Sequence, residues 1–254
     1  MQANKTIFRH LPNFLTSMNV LSGSIGIMLA FEDDKYLILT TLFIGIATIF
    51  DFLDGMTARL LKAYSPMGKE LDSLADMVSF GLAPAVILYH VMKISLFGFD
   101  FDFCFCKVSG IEMFFLFIPS IIAIFAALRL AKFNIDTRQT ESFIGLATPA
   151  NAIFAASLPI IIMYAPESMN FMKELALNKW VIAAICVIFS FLMVSEIPMF
   201  SLKVKNLSFA ANKVRYFFLI TIVILVIFFK IMAVVFVIPA YIIFSVIDAY
   251  ILKK

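Results

Sequence analysis

Four aspartates, Asp51, Asp54, Asp72 and Asp76, fall within 26 residues of an otherwise apolar chain. Asp51 and Asp54 are spaced i, i+3, and Asp72 and Asp76 i, i+4, so on helices each pair points one way. A carboxylate inside a membrane span costs ~2.5–3.5 kcal/mol on insertion scales, so four of them demand compensation. Oxygen-only ligand sets suit hard divalent cations such as Mg²⁺, Mn²⁺ or Ca²⁺. Two such ions could bridge a pyrophosphate, neutralise a leaving group and orient in-line attack on phosphorus. One aspartate could also take the proton of an attacking hydroxyl. Gly55 and Ala58 carry almost no side chain, which lets a ligand approach the backbone. Arg59 offers a planar set of donors to a phosphate or a base edge. Two other uses of the same carboxylates remain open: structural partners of Arg59, Lys62 and Lys69, or the lining of a cation path.

The elements that must position these residues are transmembrane helices. Of 254 residues 63% are hydrophobic and only 15% charged, with a mean hydropathy of +1.01. A soluble domain is nearer 45–50% apolar. Apolar runs of about 20 residues can cross a hydrocarbon core, and eight are expected, at about 13–31, 36–57, 73–94, 111–133, 144–165, 179–197, 212–230 and 232–252. The first lacks a small-residue cleavage site and is expected to stay in the bundle rather than act as a signal peptide. The expected fold is an all-α polytopic bundle of about eight helices in one domain, 1–254. Six helices would form the core (about 11–205), followed by two C-terminal helices (206–254). A net charge of +3 is too small to indicate a nucleic-acid partner. Cys104, Cys106 and Cys186 give no zinc spacing; Cys104 and Cys106 could pair, but the odd count and tight spacing favour free thiols, and His10 and His90 lie too far apart to suggest a metal pair.

Charge orients the bundle. Fourteen of the 20 Lys and Arg residues fall on the side that carries both termini and the connection between the second and third spans. The positive-inside rule makes that side, and the aspartates with it, cytoplasmic. Residues Leu60 to Glu70 are expected as the turn between those two spans, marked by Ser65, Pro66 and Gly68.

Asp51, Asp54, Gly55, Ala58, Arg59, Gly68, Asp72 and Asp76 fit the pattern D-x2-D-G-x2-A-R-x8-G-x3-D-x3-D at every specified position. That pattern resembles the signature of the CDP-alcohol phosphatidyltransferase family. The resemblance implies a metal-dependent membrane enzyme that attacks the lipid-bearing phosphate of a CDP-linked lipid with an alcohol and releases CMP. It implies that Asp51, Asp54 and Asp72 are metal ligands, that Asp76 is both ligand and general base, and that Gly55, Ala58, Arg59 and Gly68 hold the CDP portion. One or two Mg²⁺ or Mn²⁺ ions would be the cofactor. Homodimers are common in the family, and this sequence neither requires nor excludes one.

Surrounding residues resemble the phosphatidylserine synthase subgroup of that family. They comprise the opening from Leu11 to Asn19, the stretch Ala75 to Ala85, Leu128 to Asn134, Phe143 to Asn151, and Met193 to Lys203. Two departures, Ala147 and Lys132, stand where the subgroup more often has proline and arginine. The implied reaction is CDP-diacylglycerol plus L-serine giving phosphatidylserine and CMP, at a bacterial inner membrane with the site in the cytoplasm. Serine's carboxylate and ammonium need cationic or amide donors and an acceptor, and Arg129, Lys132, Asn134, Thr148, Asn151 and Lys203 are the candidates. Arg129 suits the carboxylate best because it can bind it through two donors, although Arg129, Lys132 and Lys203 also fit ordinary snorkelling positions. Asn13, Thr16 and Asn19 form a polar stripe that either touches the nucleotide or joins helices. The alternatives are a different acceptor, glycerol 3-phosphate above all, and more remotely a non-enzymatic cation transporter, which would need carboxylates near the midplane and a polar path across.

Overall fold

A computed structural model describes residues 2–99, 104, 106, 108–136, 143–200 and 212–252. Uniformly apolar sequence with few breakers makes nearly all of it helical. In chain order the helices are α1 (Gln2–Ala30), α2 (Leu37–Leu60), α3 (Pro66–Asp76), α4 (Ala83–Phe97), α5 (Gly110–Phe117), α6 (Ser120–Ile135), α7 (Thr148–Tyr164), α8 (Asn170–Ala176), α9 (Lys179–Val194), α10 (Lys213–Phe229) and α11 (Ala233–Ile247). Large side chains such as Phe31, Ile49, Phe52, Phe114 and Phe228 are exposed. In a polytopic bundle such residues face lipid, where exposure carries no penalty.

Five helical runs are long and apolar enough to cross a membrane: His10–Ala30, Asp34–Leu60, Pro66–Phe97, Gly110–Ile135 and Lys213–Tyr250. A sixth results if Glu167–Ala176 and Lys179–Val194, bent by 62°, count as one span. Length and composition alone therefore mark five or six spans, and each of the eight expected segments is largely helical. Thr148–Tyr164 has only 17 residues. The run Lys213–Tyr250 is no straight rod. Phe218 and Phe244 would lie about 39 Å apart in one straight helix, yet their rings are 6.0 Å apart. Lys230, with φ +50°, turns the chain back, so α10 and α11 pair as a hairpin.

The turn after α2 is shorter than expected. Ser65 caps α3, its hydroxyl accepting from Gly68 N–H at 2.9 Å, and Pro66 takes the first helical position, where its missing N–H costs nothing. Gly68, Lys69 and Glu70 are therefore helical rather than part of the loop. After Asp76 the helix widens into a π-helical turn, Met77–Leu82, before α4. Pro84 accounts for the widening, because it lacks an N–H and its ring clashes with the carbonyl four residues back.

The core is built around α4 and α7, whose buried Ile87, Leu88, Val91, Ala152 and Ala155 meet α2, α6 and α9. At the end away from the aspartates His90 Nε2 pairs with Asp34 Oδ1 at 2.5 Å, both buried. Cys104 and Cys106, expected as free thiols, form a disulfide, their Cα atoms 5.3 Å apart and within bridging range. Cys186 is free and buried, as expected.

One short antiparallel pair, β1 (Phe143–Ile144) with β2 (Pro198–Met199), fixes the start of α7. Gly145 follows it with φ +74°, and its N–H donates to Ile197 O at 2.9 Å. A Cβ here would lie 2.5 Å from Met193 O. Gly145→Ala should therefore destabilise the protein by at least ~1–2 kcal/mol from the left-handed backbone alone, with the collision added. Thermal unfolding of the purified protein in detergent would show a lowered midpoint; an unchanged one would mean this turn can reorganise.

Candidate active site

The helical spacing of the aspartates brings them together across two antiparallel helices. Asp51 projects from α2 and Asp72 and Asp76 from α3, with one carboxylate oxygen of each within 4.8 Å of the others. Asp51 and Asp76 lie within hydrogen-bonding reach of each other. Two carboxyl groups this close must share a proton or a cation. Asp54 stands one turn along α2, beside the Thr16 hydroxyl of α1, and is only 5% exposed. Asp54 Oδ2 and Asp76 Oδ1 are buried with no hydrogen-bond partner among the described residues. Crowded, partly buried carboxylates with unmet oxygens form an all-oxygen donor set, which fits a hard divalent cation.

A cavity of about 740 Å³ opens beside this cluster, a size suited to a small ligand. Asn13 and Thr16 line it from α1, Asp54, Gly55, Ala58 and Arg59 from α2, and Gly68 and Asp72 from α3. The stripe on α1 and the small residues of the motif therefore share one wall system. Gly68 lets Asn13 come close: a Cβ at 68 would sit 3.0 Å from Asn13 Oδ1. Arg59 donates from Nε to Gly55 O at 2.9 Å, which leaves its terminal nitrogens for a ligand.

The acceptor candidates divide into two groups. Arg129 is buried on α6 within electrostatic reach of Asp76, and its NH1 donates to Thr148 Oγ1 at 3.2 Å. Arg129 Nε and, one turn along α7 from Thr148, Asn151 Nδ2 are buried with no partner among the described residues. Lys132 instead pairs with Glu196 Oε1 at 2.6 Å and Val194 O at 3.3 Å. Asn134 Nδ2 donates to Ser73 Oγ at 2.9 Å while its backbone carbonyl accepts from Lys69 Nζ at 3.0 Å, tying α6 to α3. Lys203 lies outside the described residues.

Two contributors escape a reading of the sequence. Phe133, four residues after Arg129, lines the cavity and holds its ring 5.6 Å from the Arg129 guanidinium; that helical spacing is the signal that could have found it. Tyr241 of α11 lies within electrostatic reach of Arg129 and donates to Phe200 O at 2.9 Å. It sits in a stretch so uniformly apolar that nothing marks it.

Compared with known proteins, residues 9–192 match the model of the CDP-alcohol phosphatidyltransferase family. The chain belongs to this family. Within the family, it is 36% identical over 145 residues to the CDP-diacylglycerol–serine O-phosphatidyltransferase of Helicobacter pylori strain J99, covering 56% of this chain and 54% of that protein. The protein of the same name from Bacillus subtilis is 34% identical over 140 residues, 55% of this chain and 70% of the relative. The archaetidylserine synthase of Methanothermobacter thermautotrophicus is 31% identical over 168 residues, 65% of this chain and 64% of the relative. The chain thus spans about half the length of the Helicobacter family member.

Proposed function

We propose that this chain transfers a phosphatidyl group from CDP-diacylglycerol to L-serine, giving phosphatidylserine and CMP in phospholipid biosynthesis. The observation that carries it is that Asp76, with Oδ1 unmet among the described residues, and buried Arg129, with Nε likewise unmet, lie within electrostatic reach of each other at the carboxylate cluster. A zwitterionic alcohol supplies what both lack: a carboxylate for the guanidinium and a hydroxyl that donates its proton to the Asp76 carboxylate. Relatives named for serine as acceptor point the same way.

Asp51, Asp54, Asp72 and Asp76 would hold one or two Mg²⁺ or Mn²⁺ ions. When bound, such metal neutralises charge on the pyrophosphate and on the departing nucleotide. Gly55, Ala58, Arg59 and Gly68 cradle the CDP portion, with Asn13 and Thr16 at its edge. Arg129 takes the serine carboxylate, held in place by Thr148 and flanked by Asn151. Asp76 removes the proton from the serine hydroxyl as its oxygen bonds to the lipid-bearing phosphorus, and the bond from that phosphorus to CMP breaks. Lys132 and Asn134 brace this arrangement through Glu196 and Ser73. Among the described residues the lysines nearest the site are committed to protein partners, which favours a zwitterion over a phosphorylated acceptor.

The excess of basic residues at the aspartate end supports a cytoplasmic site in a bacterial inner membrane. The Cys104–Cys106 disulfide, in the connection after α4 and so at the opposite end, suits the oxidising side. One domain with a six-helix core and a C-terminal hairpin is the proposed organisation. Purified protein given CDP-diacylglycerol, Mn²⁺ or Mg²⁺, labelled serine and labelled glycerol 3-phosphate should release CMP with serine alone, and chelator should stop it. Labelling from glycerol 3-phosphate alone would discard the acceptor.

A further inference from the structure

Beneath the carboxylates lies an amide that the reaction scheme leaves unused. Asn19 is 0% exposed, and among the described residues neither its Oδ1 nor its Nδ2 has a hydrogen-bond partner. An amide buried with both groups unmet is costly, so native structures seldom keep one without a further partner.

Its height in the bundle is fixed from two sides. Thr16 stands beside Asp54, and α1 and α2 run antiparallel. One turn on from Thr16 is Asn19, and one turn back from Asp54 is Asp51. From the other side Ser79, one turn beyond Asp76, donates its hydroxyl to Asn19 O at 3.0 Å. Gly23 permits that approach, since a Cβ there would fall 2.8 Å from Ser79 Cα. The Cα–Cβ bonds of a helix tilt toward its N-terminus, and the N-terminal half of α1 lines the cavity. That tilt biases a side chain at position 19 from the Ser79 level toward the level of Asp51 and Asp76.

Nearby hydroxyls are already spent. Ser79 is bound to Asn19 O, and Thr48 of α2 donates to Ile44 O at 2.9 Å. Among the described residues the unmet carboxylate oxygens are Asp76 Oδ1 at this level and Asp54 Oδ2 one turn above it.

We propose that Asn19 is a positioning residue of the metal centre, its Nδ2 donating to the Asp51–Asp76 carboxylate pair and its Oδ1 accepting from a metal-bound water. This rests on the metal-centre reading given above. Asn19 orders the ligand oxygens and fixes the floor of the site, so it governs metal affinity before any lipid arrives.

The test is Mn²⁺ binding to purified, lipid-substrate-free protein, by calorimetry and by the electron paramagnetic resonance of bound Mn²⁺. Asn19→Leu and Asn19→Ser should each weaken binding by about 10–100-fold, the usual cost of losing a group that orients metal ligands. Metal-free Asn19→Leu should melt at or above the wild-type temperature, because an apolar side chain of similar size leaves no buried polar group unmet. The smaller, polar Asn19→Ser covers a packing failure of the leucine. Unchanged Mn²⁺ affinity in either folded variant would overturn the role of Asn19 while leaving the metal centre intact. A wild-type protein that binds no Mn²⁺ would remove the metal centre itself, and this inference with it.

Discussion

Asp76→Asn should lower serine-dependent CMP release by about 10³-fold or more. General-base catalysis alone accounts for about 10²–10⁴, and the same side chain stands in the three-carboxylate cluster, one oxygen of each within 4.8 Å of the others. The variant should nevertheless fold, because asparagine is nearly isosteric and its introduction relieves repulsion among crowded carboxylates. Its metal-free form should melt no lower than the wild type. Asp54→Asn makes the useful contrast. Asp54 stands outside that cluster, so raised Mn²⁺ should recover much of its activity and none of the Asp76→Asn activity. Steady-state CMP release across a Mn²⁺ titration reads both. More than a tenth of wild-type activity in Asp76→Asn would end its assignment as the base.

The second large effect is expected at Arg129. Arg129→Lys keeps the charge but loses the fork that reaches Thr148 at 3.2 Å while leaving Nε for a ligand. Two charge-assisted hydrogen bonds together contribute about 3 kcal/mol, so KM for serine should rise about 10²-fold. KM for CDP-diacylglycerol should stay within a few-fold, because the cavity wall proposed for the nucleotide lies on α1, α2 and α3. Ethanolamine, which is serine without its carboxylate, should be rejected strongly by the wild type and hardly at all relative to serine by Arg129→Lys. A rise in the lipid KM instead would move Arg129 to the nucleotide.

Much of this site was legible because one physical rule governs both sequence and structure in lipid: the backbone must satisfy itself, so apolar stretches are helices. Given helices, the spacing of Asp51, Asp54, Asp72 and Asp76 already said which faces they share. What stayed hidden depended on distant partners. Lys132 read as an acceptor contact or a snorkelling cation, and only the folded chain brings Glu196 to it. Asn134 likewise meets Ser73 across two helices. The start of α3 lies earlier than Gly68 suggests, because Ser65 and Pro66 form a helix start that a glycine three residues on does not undo. The bend of 62° between Glu167–Ala176 and Lys179–Val194 falls where polar sequence gives way to apolar, a change that marks a boundary but not an angle. Tyr241 shows the opposite failure, a polar contact buried in an apolar run that offered no spacing to notice.

The cavity beside the carboxylates measures about 740 Å³. That holds a head group of nucleotide size but leaves no room for two acyl chains, which must remain in the surrounding lipid. The two substrates of the proposed reaction would then be measured on different scales. Serine arrives from solution and its molarity counts. The lipid arrives by two-dimensional diffusion, so its mole fraction in the bilayer or micelle sets the rate. Diluting the enzyme with inert detergent at fixed total CDP-diacylglycerol would slow turnover as surely as withdrawing substrate, and kinetic constants compared between preparations should be expressed per surface rather than per volume.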